Sequence, residues 1–241
     1  MNQSKVAIWS LFRDDEKGDY LDQYLYRIRC LSWPRDKLRF YLVEGDSKDN
    51  TFEVLKEKTA GNSRIKVLKC DSGMPDHGSK VHPERFAAVS RPGNYAVDEI
   101  VHDDWADVAM LIESDLLYAP DLIERLSSHL PDEDAVIAPM IWISYPDGKL
   151  RFYDIWGFRF EENDLFPPET PQWFEERFGG NVTEIWSAGS VVMFPFRALA
   201  EGARYSEVYP EAIMGFTRQA AALGCRIYCD PATHVTHPPR P

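Results

Sequence analysis

The stretch Val108-Ala-Met-Leu-Ile-Glu-Ser-Asp115 sets five apolar residues directly before two carboxylates. An apolar run of this length between polar turns reads as a strand buried on both faces, as in parallel sheets covered by helices. Ligands of such sheets sit at the carboxyl ends of the strands, which is where Glu113 and Asp115 fall. Two carboxylates at i and i+2 in a turn can aim at one point, and hard oxygen ligands suit Mg²⁺ or Mn²⁺ held together with a substrate's phosphates. A solvated strand end with acidic turn residues is the competing reading.

Working outward from this strand, the same rhythm repeats. Val6 to Phe12 is a second apolar run, and Leu21, Tyr24, Leu25, Ile28 and Leu31 follow at helical spacing until Trp33-Pro34 ends the helix. Leu38, Phe40 and Leu42 alternate into another strand. Asn50 or Thr51 can cap a helix through Phe52, Val54 and Leu55, and Ile65 and Val67 mark a further strand. Gly93 to Val101 reads as a helix, Pro120 opens one through Leu122, Ile123 and Leu126, and Ala135 to Ile143 is a strand closed by Pro146-Asp-Gly148. Beyond it, Glu161 to Gly180 has the length and aromatic content of a lid or binding loop. Ile185 to Phe194 is strand-like, Pro210 to Leu223 is helical and ended by Gly224, and Arg226 to Cys229 is a short strand. Strand and helix in alternation predict an α/β fold, a single domain over 1–241 with a mostly parallel central sheet flanked by helices.

Charge and cysteine content narrow the class. With 27 Lys+Arg against 39 Asp+Glu the chain carries −12, which argues against unaided affinity for nucleic acid or anionic lipid. Four cysteines without a C-x-x-C pair make neither a disulfide scaffold nor a zinc knuckle. No apolar run is long enough to span a bilayer, and no signal peptide precedes Val6, so a cytoplasmic protein is expected.

Four further segments carry candidate chemistry: Val43-Glu-Gly-Asp-Ser-Lys-Asp-Asn-Thr51, Ser90-Arg-Pro-Gly-Asn-Tyr-Ala96, Tyr153-Asp-Ile-Trp-Gly-Phe-Arg159, and Glu211-Ala-Ile-Met-Gly-Phe216 followed by His237. In this order, with Glu113-Ser-Asp115, they resemble the nucleotide-sugar glycosyltransferases of the Rossmann-like GT-A fold. The likeness is to the Anp1-type mannosyltransferase family and, more distantly, to family 2 glycosyltransferases, over most of residues 6 to 237. The resemblance implies a nucleotide-binding half (1–140) and an acceptor-binding and catalytic half (141–241). It implies donor contacts at Arg13, Glu44, Arg91, Asn94, Glu113 and Ser114. Asp115 and His237 would bind Mn²⁺ or Mg²⁺, with His234 a rival two positions away. Glu211 would be the catalytic carboxylate, and Trp156, Trp186 and Gly189 would lie against the acceptor.

Each assignment has a plain structural alternative. Glu211 suits the first turn of a helix, Arg13 and Arg91 suit surface ion pairs, and Trp186 suits the core. The function expected is metal-dependent transfer of a hexose from a nucleoside diphosphate sugar to a saccharide or other hydroxyl acceptor, a nucleic-acid acceptor being disfavoured by the charge. The alternative is a catalytically silent nucleotide- or carbohydrate-binding module on the same fold. A nucleotidyltransferase is disfavoured because no Gly-rich phosphate loop with a nearby Lys follows the first strand.

Overall fold

The computed structural model describes residues 4–15, 19–76, 82–145, 147–155, 157–162, 170–208 and 212–238. Strand β1 (Val6–Phe12) sends Ala7 and Trp9 to one face of the sheet and Val6, Ile8 and Phe12 to the other, all of them buried. Helix α1 (Asp19–Cys30) lays Leu21, Tyr24, Leu25 and Ile28 against the second face. Strand β2 (Leu38–Glu44), helix α2 (Thr51–Thr59) and strand β3 (Ile65–Lys69) complete the parallel array on that side, with β1 in register from Val6/Leu38 to Phe12/Glu44. Because both faces are covered, these strands show little polar alternation. The one polar side chain inside β1 is satisfied: Ser10 Oγ donates to the Ile112 carbonyl at 2.6 Å and meets the Tyr24 hydroxyl at 2.7 Å.

Helix α3 (Pro83–Asp103) is longer than the expected Gly93–Val101 segment. It begins with Pro83 in the first turn, and the His82 ring accepts from the Glu84 N–H. It continues through Pro92, whose missing N–H costs the helix one hydrogen bond. Pro92, Gly93, Ala96, Val97 and Ile100 are buried, and that packing outweighs the local penalty. Strand β4 (Val108–Ile112) pairs in parallel with β1 and is followed by helix α4 (Leu122–His129).

The second half is mixed. Strand β5 (Val136–Ser144) turns into β6 (Leu150–Phe152), and Pro146 of the expected turn lies outside the described residues. Of the expected lid, residues 163–169 lie outside as well. The part described forms helix α5 (Pro171–Phe178), whose Phe174 is buried against Trp142 and Phe152. Of the strand expected over Ile185–Phe194 only the last part is one, as β8 (Val191–Pro195); the two-residue β7 (Thr183–Glu184) precedes the expected segment, and Ser190 stands at φ 60° just before β8. Helix α6 (Phe196–Ala200) and helix α7 (Ala212–Ala222) follow, and Gly224 closes the latter at φ 89°.

Strand β9 (Ile227–His237) is far longer than Arg226–Cys229 because it runs in parallel beside β5 along its whole length. Its pairing jumps from Pro139/Asp230 to Met140/His234, so that Pro231, Ala232 and Thr233 form a bulge. That bulge admits a proline, which has no N–H for a regular ladder. Among the described residues the strand order is β3-β2-β1-β4-β8-β5-β9-β7, with β6 beside β5. The sheet has α3, α6 and α7 packed on the Trp9 side, where the Trp9 indole donates to the Tyr205 hydroxyl at 2.8 Å. No described helix is long and apolar enough to cross a membrane.

Gly45, where β2 leaves the sheet, lies against the strand beside it. A Cβ there would overlap the Cys70 carbonyl oxygen. Gly45→Ala is therefore expected to lower folding stability by about 2 kcal/mol, the scale of overpacking at a rigid backbone contact, measured as a lower urea midpoint.

Candidate active site

The parallel strands β1, β2 and β4 end together, and the loops that follow them share one edge of the sheet. From β4 the chain crosses to the far side. The Leu117 N–H donates to the Thr236 carbonyl at 2.8 Å, and the Thr236 N–H donates back at 2.8 Å. This bridge brings Asp115 beside the last residue of β9, with Asp115 Oδ2 3.0 Å from His237 Nε2. His237 is 1% exposed, and the Tyr153 ring stacks on it at 4.0 Å and 20°. His234 instead places Nε2 2.9 Å from the Pro231 carbonyl and its ring edge-to-face with Trp142.

The hydrogen bonds of His237 define what it presents. Its Nδ1 lies 2.6 Å from the Pro238 carbonyl, an obligate acceptor, so Nδ1 carries a hydrogen. In the neutral ring Nε2 then turns a lone pair toward a carboxylate oxygen. Two acceptors at 3.0 Å require a proton or a cation. A ring nitrogen freed by a backbone hydrogen bond on the other is the arrangement metal-binding histidines use.

Two more carboxyl groups, Glu113 and Asp15, feel the negative charge of Asp115, and a third, Asp154, is raised by burial alone. Burial, with Asp115 and Asp154 nearby, pushes Glu113 up to about 8 against a hydrogen bond from Ser190. Burial raises Asp154 to about 6 against the Gly157 N–H, which donates to its Oδ1 at 3.1 Å. Burial, with Asp115, Asp49 and Asp22, raises Asp15 to about 7. Asp15 and Asp154 carry no role in the sequence reading. Asp15 sits in the charged run Arg13-Asp-Asp-Glu16, which reads only as the end of a strand, and Asp154 sits within the Tyr153–Arg159 segment without distinction. Their only sequence signal is an acidic residue beside a strand end, which is common on any surface.

The other candidates are distributed as follows. Arg13 donates to the Met74 carbonyl at 3.2 Å and lines a cavity of about 170 Å³ with Val43, Gly45, Arg85, Val89 and Pro92. Among the described residues its buried Nε has no hydrogen-bond partner and stands 3.9 Å from Asp14 Oδ2. Glu44 is fully buried, with Lys69 Nζ at 2.7 Å from one oxygen and the Ser47 N–H at 2.9 Å from the other. Arg91 pairs with Glu207 at 3.1 Å and donates to the Ser72 carbonyl. Both polar atoms of Asn94 bond the backbone of Tyr205. Arg91 and Asn94 thus tie α3 to the 205–207 segment. Ser114 is half-buried between Glu113 and Asp115.

Trp186 is half-buried under the Arg218 guanidinium, 4.4 Å from its ring centre. Gly189 packs on Asp154, and a Cβ there would stand 2.8 Å from Asp154 Oδ2 and 3.3 Å from the Gly157 Cα. Glu211 and Trp156 lie outside the described residues.

Among the described residues no group of three or more His, Cys, Asp or Glu side chains is arranged to hold a metal ion by itself. Asp115 with His237 makes a two-ligand set, which suits a cation whose other positions are filled by water and substrate phosphate.

The raised carboxyls set the pH response of the metal-free protein. A carboxyl raised on folding contributes stability below its ordinary value that is lost as pH rises through the folded value. For Glu113 the window runs from 4.5 to about 8, and Asp15 and Asp154 act in the same direction from 3.8. In chelator, the urea midpoint is expected to fall across this window, and Glu113→Gln to flatten the fall.

No family model matches the chain, and no curated protein matches it. Solved structures do. The mannosyltransferase PcManGT from Pyrobaculum calidifontis, in complex with GDP-Man and Mn²⁺, aligns over 97% of this chain and 56% of its own at 13% identity and a TM-score of 0.62. GalNAc-T7 with UDP, GalNAc and Mn²⁺ aligns over 98% and 44%, at 15% identity and a TM-score of 0.66. S. aureus TarS 1-349 with UDP-GlcNAc aligns over 98% and 59%, at 13% identity and a TM-score of 0.65. The chain therefore spans roughly half the length of each of these structures. At these identities the likeness is one of fold, and the fold is that of the GT-A glycosyltransferases.

Proposed function

We propose that the chain is a metal-dependent glycosyltransferase that moves a hexose from a nucleoside diphosphate sugar to an acceptor hydroxyl. The observation that carries this reading is the 3.0 Å contact of His237 Nε2 with Asp115 Oδ2, a pair that a divalent cation would share in place of the proton between them. Asp115 and His237 would hold Mn²⁺ or Mg²⁺ beside the donor diphosphate. The bound cation would supply Lewis-acid stabilisation of the departing nucleoside diphosphate. The Mn²⁺ in the complexes of PcManGT and GalNAc-T7 supports the choice of a divalent cation.

This chain's own residues divide the remaining work. Tyr153, stacked on His237, keeps the imidazole aimed at Asp115. Arg13 lines the cavity at the ends of β1 and β2, where its guanidinium would meet an acceptor atom of the nucleotide. Glu44, buried and bonded to Lys69 and the Ser47 N–H, would shape the loop that faces the nucleoside. Glu211 is the proposed active-site carboxylate, deprotonating the acceptor hydroxyl if the reaction inverts, or stabilising positive charge on the sugar if it retains. The proposed acceptor is a saccharide, since the net charge of −12 opposes a polyanion.

One observation favours the silent binding module on the same fold: among the described residues no three side chains are arranged to hold a metal ion. Incubation with Mn²⁺ and a panel of UDP-, GDP- and other nucleoside diphosphate sugars separates the readings, with nucleotide release as the readout. Release from at least one donor is expected, falling about 100-fold or more in Asp115→Ala and His237→Ala. Release that both variants leave intact overturns the metal assignment, and nucleotide binding without turnover of any donor decides for the silent module.

A further inference from the structure

A second concavity lies outside the carboxylate cluster. It has a volume of about 440 Å³ and is lined by Tyr26, Arg27, Leu117, Tyr118, His234 and Thr236 among others. A smaller one of about 220 Å³ adjoins it, sharing Ala119 and His234. We infer that this groove, between α1, the 117–120 segment and β9, binds the saccharide chain of the acceptor beyond the hydroxyl that reacts. The inference rests on the glycosyltransferase reading and deepens it.

Continuity with the candidate active site is the first argument. The wall of the groove includes the Leu117–Thr236 bridge, held by two backbone hydrogen bonds of 2.8 Å. Leu117 is two residues from Asp115, and Thr236 is one from His237. One short ladder therefore fixes both the carboxylate–imidazole pair and the edge of the groove, and a ligand lying in the groove is held in register with the pair. The volume falls within the range of about 300–1,000 Å³ for ligand sites.

Surface chemistry gives the class of occupant. Tyr26 is 66% exposed, an unusual position for a large aromatic ring, and an aromatic face packs on the C–H surface of a pyranose. Tyr118 adds a second aromatic side chain to the lining of the same groove. No carboxylate lines the larger cavity among the described residues, although the chain has 39 acidic residues. The groove is thus a neutral to weakly basic window in an acidic protein. A nucleic acid would need several cations on its phosphates. The groove offers Arg27, while Arg125 in the adjoining cavity is paired with Asp121 at 2.8 Å.

The test uses the whole chain and defined probes: mannohexaose, maltohexaose, cellohexaose, chitohexaose and a dT12 oligonucleotide, each titrated by calorimetry up to about 10 mM, the weak end of specific affinity. At least one hexasaccharide is expected to bind, with affinity lowered about tenfold in Tyr26→Ala. In wild type and Tyr26→Ala alike, donor hydrolysis in water is expected to run at the same rate, because Tyr26 stands outside the metal and donor machinery. Absence of hexasaccharide binding, binding of dT12 alone, or hexasaccharide binding unchanged in Tyr26→Ala overturns the inference while leaving donor hydrolysis, and with it the glycosyltransferase reading, intact. Loss of the reading shows separately, as wild-type protein that hydrolyses no donor; the groove could then not be an acceptor site, whatever sugar it bound.

Discussion

The contact between the loop after β4 and the end of β9 joins residues 122 positions apart, and the candidate site depends on it. Without the Leu117–Thr236 bridge, Asp115 would remain a strand-end carboxylate and His237 a residue near the end of the chain. Closing so long a loop is entropically costly, but that cost grows only slowly with length. The two halves also share a sheet, since β8 stands between β4 and β5. The site is therefore assembled across a packed core and does not hang from a flexible connection.

Burial on both faces explains which parts of the fold were legible in the sequence. β1, β2 and β4 have helices on each side, so their sequences are continuous apolar runs, and the helix after β1 shows its single apolar stripe. The elements misread were those where tertiary packing overrules local preference. α3 passes through Pro92 because its buried side chains hold it there. β9 passes through Pro231 because the bulge removes the need for an N–H. The apolar segment 185–194 becomes a strand only from Val191, after Gly189 packed on the Asp154 carboxylate and Ser190 in the left-handed region.

The candidate site was legible to a similar depth. Asp115 and His237 stand out through a strand-end motif and a resemblance in residue order, and the fold brings the two side chains together. Asp15 and Asp154 are defined by desolvation and by neighbours distant in sequence, neither of which residue order records. Arg91 and Asn94 illustrate the opposite limit. Their residue types suit a diphosphate, yet each is engaged with the 205–207 segment, a partnership that only the packing of α3 reveals.

The bulge in β9 also decides which way the imidazole points. Before it, Ile227 and Cys229 face the Trp9 side of the sheet and Tyr228 the α1 side; after it, the odd-numbered Val235 faces the α1 side. Three inserted residues, an odd number, reverse the alternation, and His237 shares the parity of Val235. The length of this short insertion, rather than the identity of anything in it, is thus a steric instruction. Losing one residue from 231–233 leaves either a shorter bulge or a pairing slipped by one beyond it, and in the slipped register the imidazole turns through the sheet to the opposite layer while every candidate side chain stays present in the sequence. A strand that slipped by one at this bulge would keep the motif and lose the pair.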